Sequence, residues 1–213
     1  MAFIMNPSFE TRPTFVAATN TGSVWIDGTA AGSGTNDTYG WGTRTITGSG
    51  SAQFDTSTFN SGTGSLKVST TAIASQIDVS NNKATAPAGQ NIIPAIEGVT
   101  YTLTCWAKST AVSGSATTGA RVSLAPRTAA GASAGTSSVI VIGPATTGWT
   151  QYKTTLLAPP TTQFIYIFCT VLGSDGTGTL IMDAWFDDFV LIGNSAFPNN
   201  RLRPHPFSPG LAR

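Results

Sequence analysis

Residues Phe164-Ile165-Tyr166-Ile167-Phe168-Cys169-Thr170-Val171-Leu172 alternate between two kinds of side chain. One set of alternate positions carries aliphatic or thiol groups: Ile165, Ile167, Cys169 and Val171. The other set is mainly aromatic: Phe164, Tyr166, Phe168 and Thr170. Successive side chains of a β-strand point to opposite faces of its sheet, so the pattern predicts a strand. The aliphatic face is the natural core face, which leaves the aromatic side chains on the outer face.

Two further segments, Tyr101–Lys108 and Ala120–Ala125, alternate in the same way. Their apolar sets are Tyr101, Leu103, Cys105 and Ala107 in the first segment, and Val122 and Leu124 in the second. Because apolar side chains belong in the core, this phasing points both Cys105 and Cys169 inward. The side chains that it places together on an outer face are Trp106, Tyr166, Phe168 and Arg121.

Short strand candidates of this kind occur along most of the chain. Besides those above they are Phe3–Phe9, Gly42–Gly48, Ala52–Phe54, Ser65–Ser69, Gln76–Val79, Asn91–Ile96, Ser138–Ile142, Trp149–Leu157 and Thr179–Ile192. The 213 residues include 34 Thr, 21 Ser and 23 Gly, a composition that favours strands and turns over helices. Many short strands separated by turn residues predict an all-β protein built as a two-sheet antiparallel β-sandwich.

The charge and the reactive side chains exclude several classes of function. A net charge of +1 gives no reason to expect nucleic-acid binding. No apolar run reaches the roughly 18 residues of a membrane helix, so no membrane insertion is expected. With one His and two Glu, the chain offers few general acids or bases, and we expect it not to be an enzyme. The segment Gly131–Gly135 matches the Gly-x-Ser-x-Gly nucleophile pattern but lies in an Ala/Gly/Ser loop, without the required strand and helix.

Five motifs occur in an order and spacing that resemble one family. They are Asn6–Glu10 (NPSFE), Ser61–Val68 (SGTGSLKV), Gly98–Lys108 (GVTYTLTCWAK), Gly148–Tyr152 (GWTQY) and Trp185–Leu191 (WFDDFVL). Together they resemble the carbohydrate-binding modules of the galactose-binding-like jelly-roll type, families 4, 9, 16 and 22. The resemblance implies a jelly-roll sandwich, which we assign to residues 1–193. Residues 194–213, which are rich in Pro and Arg, are expected to form an extended arm. The resemblance does not by itself imply sugar binding, because this scaffold also serves as a structural module.

The same resemblance implies one structural calcium ion near the first and last strands. Glu10, Asp187 and Asp188 stand at the matching positions, and Asp183 is a further candidate. Calcium is bound by several oxygen ligands from carboxylates and backbone carbonyls, which suits these residues. The alternative is that one aspartate of the pair caps a turn or pairs with an arginine while the other faces water.

The outward aromatic side chains are the main candidate for a binding surface. Trp106, Tyr166 and Phe168, with Arg121 and Lys108 beside them, are the residues of a sugar-stacking platform on the concave sheet. The alternative is that a loop or a partner subunit covers this face, because interfaces also favour aromatic and arginine side chains.

Cys105 and Cys169 are not spaced as zinc ligands. Both point inward, so a disulfide and a pair of buried thiols stay open. The sequence predicts no signal peptide, so we expect synthesis in a host cytoplasm. Because thiols stay reduced there, this expectation favours the pair of buried thiols.

The C-terminal segment differs in composition from the rest of the chain. It contains four prolines and no acidic residue, so it is expected to be extended and to bind a neighbouring subunit. Its candidate contacts are Arg201, Arg203, Phe207, Leu211 and Arg213. These features favour a non-catalytic decoration protein of a phage virion, bound to other virion proteins and to copies of itself, with a glycan as a further ligand. The alternative is an accessory carbohydrate-binding module of a polysaccharide-degrading system.

Overall fold

The computed structural model describes residues 18–19, 42–80, 93–115, 119–173 and 179–194. These residues form β-strands and connecting turns, with no helix among them, and therefore no helix that could cross a membrane. The strands are β1 Ala18–Thr19, β2 Gly42–Thr47, β3 Gly50–Asp55, β4 Ser65–Thr70, β5 Gln76–Ser80, β6 Ile93–Pro94, β7 Thr100–Ser115, β8 Ala120–Arg127, β9 Ser138–Ile142, β10 Thr150–Leu157, β11 Phe164–Leu172 and β12 Thr179–Asn194. The predicted strand at Phe3–Phe9 and arm residues 195–213 lie outside the described residues.

The strands form two antiparallel sheets. The first sheet has the order β1-β3-β4-β12-β7-β10, and the second has the order β2-β5-β11-β8-β9. The short strand β6 pairs with β11 outside this second path. The predicted all-β antiparallel sandwich is therefore confirmed for the described residues.

The core lies between the two sheets and is built from the inward positions that the alternation predicts. On β11 the buried set is Ile165, Ile167, Cys169 and Val171. On β7 it includes Leu103, Cys105 and Ala107, and on β8 it includes Val122 and Leu124. The predicted phases of these three strands are confirmed, so the outward positions of each strand are also fixed.

The strands β7 and β12 are each 16 residues long and pair along their length. The sequence predicts that β7 ends at Lys108, which is wrong, because its pairing continues to Ser115 opposite Thr179. Gly114 permits this close pairing: it has a φ of +87°, and an added Cβ would meet the carbonyl oxygen of Thr179. The long pair forms the middle of the first sheet, with register shifts between Ile181 and Met182 and between Asp187 and Val190.

Candidate functional site

A cleft of about 380 Å³ lies on the outer face of the second sheet. Its floor is the outward face of β11, formed by Phe168, Thr170 and Leu172. Its walls come from β5 and β8 on either side of that strand, and they carry the polar groups Gln76, Asp78, Arg121, Ser123 and Arg127. The cleft therefore combines an aromatic ring with hydrogen-bonding groups of both signs, the arrangement that small-ligand sites use to fix orientation.

The strand register places Asp78 and Arg121 in one row across the cleft. Thr170 of β11 pairs with Asp78 of β5 on one side and with Arg121 of β8 on the other. Neighbouring strands are about 4.8 Å apart, so the two backbones are separated by roughly 10 Å. Because Thr170 has a short side chain, the space between the carboxylate and the guanidinium is open to a ligand.

Two polar atoms in this row have no hydrogen-bond partner among the described residues. They are Asp78 Oδ1 and Arg121 Nε, and both atoms are buried. The other carboxylate oxygen of Asp78 accepts a hydrogen bond from Gln76 Nε2 at 2.8 Å, which holds the side chain in the wall. A buried polar atom without a partner costs about 1–3 kcal/mol. A small rotation of either side chain would turn its atom toward the cleft, and a ligand that donates to Asp78 and accepts from Arg121 would then remove that cost.

The aromatic side chains of β11 differ in accessibility. Phe168 is half-buried and lines the cleft, whereas Tyr166 is only 6% exposed. The loop after β8 folds back over Tyr166, since Ala134 N donates to Pro126 O and Gly131 lies near the Tyr166 hydroxyl. The alternative that a loop covers the face therefore applies to Tyr166. The expectation that Tyr166 stacks on a sugar is corrected, and Phe168 is the ring that a ligand can reach.

The structure also corrects the prediction that Trp106 and Lys108 share a face with Tyr166, Phe168 and Arg121. Trp106 and Lys108 belong to β7 in the first sheet, whereas the other three belong to β8 and β11 in the second. The core therefore separates the two groups. Strand alternation shows whether a side chain points inward or outward, but an outward position has the same phase in either sheet.

Lys108 lies within a separate aromatic group on the first sheet. Its Nζ lies 4.9 Å from the ring centroid of Trp185 and 6.0 Å from that of Trp149. Lys67 Nζ lies 5.0 Å from the Trp185 ring and forms an ion pair with Asp183 at 2.8 Å. Asp183, the further calcium candidate, is thus paired with a lysine on this face.

Among the cleft residues that were not predicted from the sequence are Gln76, Asp78 and Arg127. Gln76 and Asp78 alternate with the buried Ile77 and Val79, so the phase of β5 was a signal for their outward placement. Arg127 was missed because β8 continues two residues beyond the predicted end at Ala125. Its guanidinium carbon lies 5.5 Å from the Tyr166 ring centroid and 5.6 Å from that of Phe168.

Asp187 and Asp188 lie together at an irregularity of β12. The pairing with β7 shifts register between Asp187 and Val190, and Asp188 has a φ of 48°, which together define a β-bulge. Asp187 Oδ2 accepts hydrogen bonds from the backbone N–H groups of Asn60 and Ser61 at 2.9 and 3.3 Å. The alternative that one aspartate caps a turn therefore describes Asp187. Its second half is wrong, because Asp188 accepts hydrogen bonds from Asn60 Nδ2 at 2.8 Å and from Ser61 Oγ at 2.7 Å.

Burial raises the pKa of Asp187 to about 7, although the hydrogen bonds from Asn60 and Ser61 lower it. A nearby cation would favour the ionised carboxylate, so the pair retains the chemistry of a calcium site. Glu10 lies outside the described residues, within which His, Cys, Asp and Glu side chains form no group of three or more. Calcium stays a prediction.

Cys105 and Cys169 are free thiols buried in the core, one from each sheet. Burial raises the pKa of Cys105 to about 12. Burial, together with the neighbouring Cys105, raises the pKa of Cys169. Of the two alternatives, a disulfide and a pair of buried thiols, the structure shows the buried thiols.

Several solved structures share the fold of this chain. The enzymatically active domain of tailspike protein 4 of bacteriophage CBA120 matches 91% of this chain and 21% of its own, with 14% identity and a TM-score of 0.54. An arabinose-bound α-L-arabinofuranosidase matches 90% of this chain and 26% of its own, with 18% identity and a TM-score of 0.53. The chain thus spans about a fifth and a quarter of these proteins. No protein-family model and no curated protein matches the chain. The two likenesses support the sandwich fold.

Proposed function

We propose that this protein binds a glycan in the cleft of the second sheet. The observation that carries the proposal is the pair of buried atoms without partners, Asp78 Oδ1 and Arg121 Nε, on either side of Thr170. A sugar hydroxyl both donates and accepts a hydrogen bond, so adjacent hydroxyls of one ring can satisfy both atoms. The C–H face of the same ring can stack on Phe168, which lines the cleft beside them.

The test begins with the full chain on a glycan array, followed by calorimetric titration of the glycans that bind. Asp78→Asn, Arg121→Gln and Phe168→Ala should each lower affinity at least tenfold, which corresponds to about 1.4 kcal/mol. Trp106→Ala is the matched control, because it removes an aromatic side chain from the opposite sheet. Melting temperatures establish that each variant is folded.

Equal affinity for the wild type and the three cleft variants would contradict the cleft as the binding site. Loss of binding in Trp106→Ala alone would place the site on the first sheet instead. The absence of binding to any glycan of a broad array would contradict the function.

We further propose that the glycan-binding chain is a non-catalytic decoration module of a phage virion, located on its head or tail surface. The fold likeness to part of a phage tailspike supports this proposal, as does the Pro/Arg-rich segment after Asn194. Peptides of this chain should be found by mass spectrometry in purified phage particles after a high-salt wash. If the peptides are recovered with secreted polysaccharide-degrading enzymes and not with particles, the result would favour the alternative function, an accessory carbohydrate-binding module. The fold likeness to part of an arabinofuranosidase supports that alternative.

A further inference from the structure

We infer that the cleft binds an acidic glycan, with a carboxylate of the sugar held between Arg121 and Arg127. This inference rests on the proposed function, because it names the class of glycan for the same cleft. Among the described residues, two arginines and one aspartate line the cleft, and their formal charges sum to +1. The placement of these charges is what distinguishes an acidic glycan from a neutral one.

The two arginines are on the same wall, at strand positions on either side of Ser123. Arg121, Ser123 and Arg127 all occupy outward positions of β8. In the register, Arg127 lies opposite Phe164, but its guanidinium lies 5.6 Å from the ring of Phe168, the residue opposite Ser123. The Arg127 side chain therefore extends back along the strand toward Ser123, and Arg121 lies on the other side of Ser123.

Among the described residues, the carboxylate that lines the cleft is on the other wall. Asp78 belongs to β5, one strand beyond the floor, and no ion pair joins it to Arg121. Asp78 therefore does not neutralise Arg121, and its carboxylate is placed to accept hydrogen bonds from hydroxyl groups. A uronic acid has both features, since its ring carries a carboxylate and several hydroxyls.

A carboxylate suits this wall for geometric reasons. The guanidinium group is a planar fork that bonds carboxylate oxygens in pairs, and such charge-assisted bonds are the stronger kind. Ser123 has a short side chain, which leaves room for the carboxylate and adds a hydroxyl donor. Arg121 Nε is buried without a partner among the described residues, so a carboxylate oxygen can use it without displacing a protein contact.

The experiment compares acidic oligosaccharides with their neutral counterparts. The probes are oligogalacturonate, alginate and hyaluronan oligomers, each beside its methyl-esterified form, which keeps the sugar and linkage but removes the charge. A set of sulfated galactose oligomers tests a different anion. We expect at least one uronate oligomer to bind the full chain at least tenfold more tightly than its ester, and to weaken as salt rises.

Arg127→Gln is the discriminating variant, with Arg127→Lys and Trp106→Ala as controls. Arg127→Gln should lower the affinity for the acid at least tenfold and change the affinity for the ester by less than about threefold. Arg127→Lys keeps the charge but not the fork, so it should recover only part of the loss. Trp106→Ala should leave both affinities unchanged, and melting curves confirm that the variants fold.

The outcomes separate this inference from the proposed function. If neutral glycans bind with the same affinity as their acidic forms, and Phe168→Ala abolishes that binding, the inference is wrong but the proposed function stands. If sulfated oligomers bind tightly and uronate oligomers do not, the inference that the cleft holds a carboxylate is wrong. If neither acids nor neutral glycans bind, the function is wrong and the inference with it.

Discussion

Asp55, at the end of β3, shows how a half-buried carboxylate is stabilised on the first sheet. It accepts hydrogen bonds from the backbone and side chain of Ser57 at 2.7 and 2.6 Å, and from Trp185 Nε1 at 2.7 Å. Burial raises the pKa of Asp55, but these hydrogen bonds and the charge of Lys67 outweigh it, so the pKa lies below its usual value of 3.8. The ionised carboxylate thus holds the Trp185 ring in place.

A pH-dependent stability follows from this lowered pKa. The contribution of Asp55 is present above its unfolded pKa of 3.8 and is lost as the pH falls through its lower folded value. Asp55→Asn removes the titrating group but keeps an acceptor for the indole. Thermal unfolding from about pH 6 to about pH 2 should show a smaller loss of stability below pH 3.8 in the variant. Parallel curves for the two proteins would contradict the assignment.

The two core thiols give a second prediction at the scale of single residues. Burial and a pKa raised to about 12 keep Cys105 protonated and shielded, and Cys169 is buried beside it. Because the thiolate is the reactive species, a thiol reagent should label the folded protein very slowly near pH 8. In denaturant without reductant it should label two thiols per chain. Fewer than two would indicate a disulfide, and rapid labelling of the folded protein would show that the core is open.

At the scale of elements, the alternation of side chains predicted the bounds of the strands more accurately than it predicted the residues of the cleft. The segments Ser138–Ile142 and Phe164–Leu172 were predicted with the bounds that the structure shows. Alternation could not assign Trp106 and Tyr166 to different sheets, because this depends on which distant strands pair. The cover over Tyr166 depends on a loop whose Ala/Gly/Ser sequence has no periodic signal.

The bulge of β12 carries the calcium prediction. If Glu10 joins Asp187 and Asp188 around one calcium ion, binding to the folded state alone should raise the melting temperature. Wild-type protein should then lose several degrees of melting temperature in a chelator and regain them when calcium, but not magnesium, is restored. Asp188→Asn should reduce this calcium-dependent shift.

A melting temperature that does not respond to chelator or calcium would contradict a structural ion. Asp187 would then act only through the hydrogen bonds that it accepts from the backbone N–H groups of Asn60, Ser61 and Asp188.

At the scale of the whole molecule, we propose that glycan binding and attachment to a particle use different parts of the chain. The strand β12 ends at Asn194 in the first sheet, whereas the cleft lies on the second sheet. We propose that attachment through residues 195–213 is independent of glycan binding in the cleft. This separation suits a module that is anchored on a particle and binds a ligand outside it.

Deleting residues 197–213 tests the proposed anchor. The truncated chain should fold, with an unchanged melting temperature and unchanged glycan affinity, but should no longer join particles. Replacing Arg201, Arg203 and Arg213 by glutamine should weaken attachment and its salt dependence, since arginine pairs with carboxylates on a partner. Assembly of the truncated chain at wild-type levels would instead assign attachment to the sandwich.

The central claim is that a sugar binds over Phe168 between Asp78 and Arg121. A crystal structure of the full chain with the tightest glycan from the array tests it most directly. The account predicts a sugar ring against Phe168, one hydroxyl within hydrogen-bond distance of Asp78 Oδ1, and an oxygen within hydrogen-bond distance of Arg121 Nε. A sugar bound beside Trp106 on the opposite sheet, with the Asp78–Arg121 row empty, would contradict it.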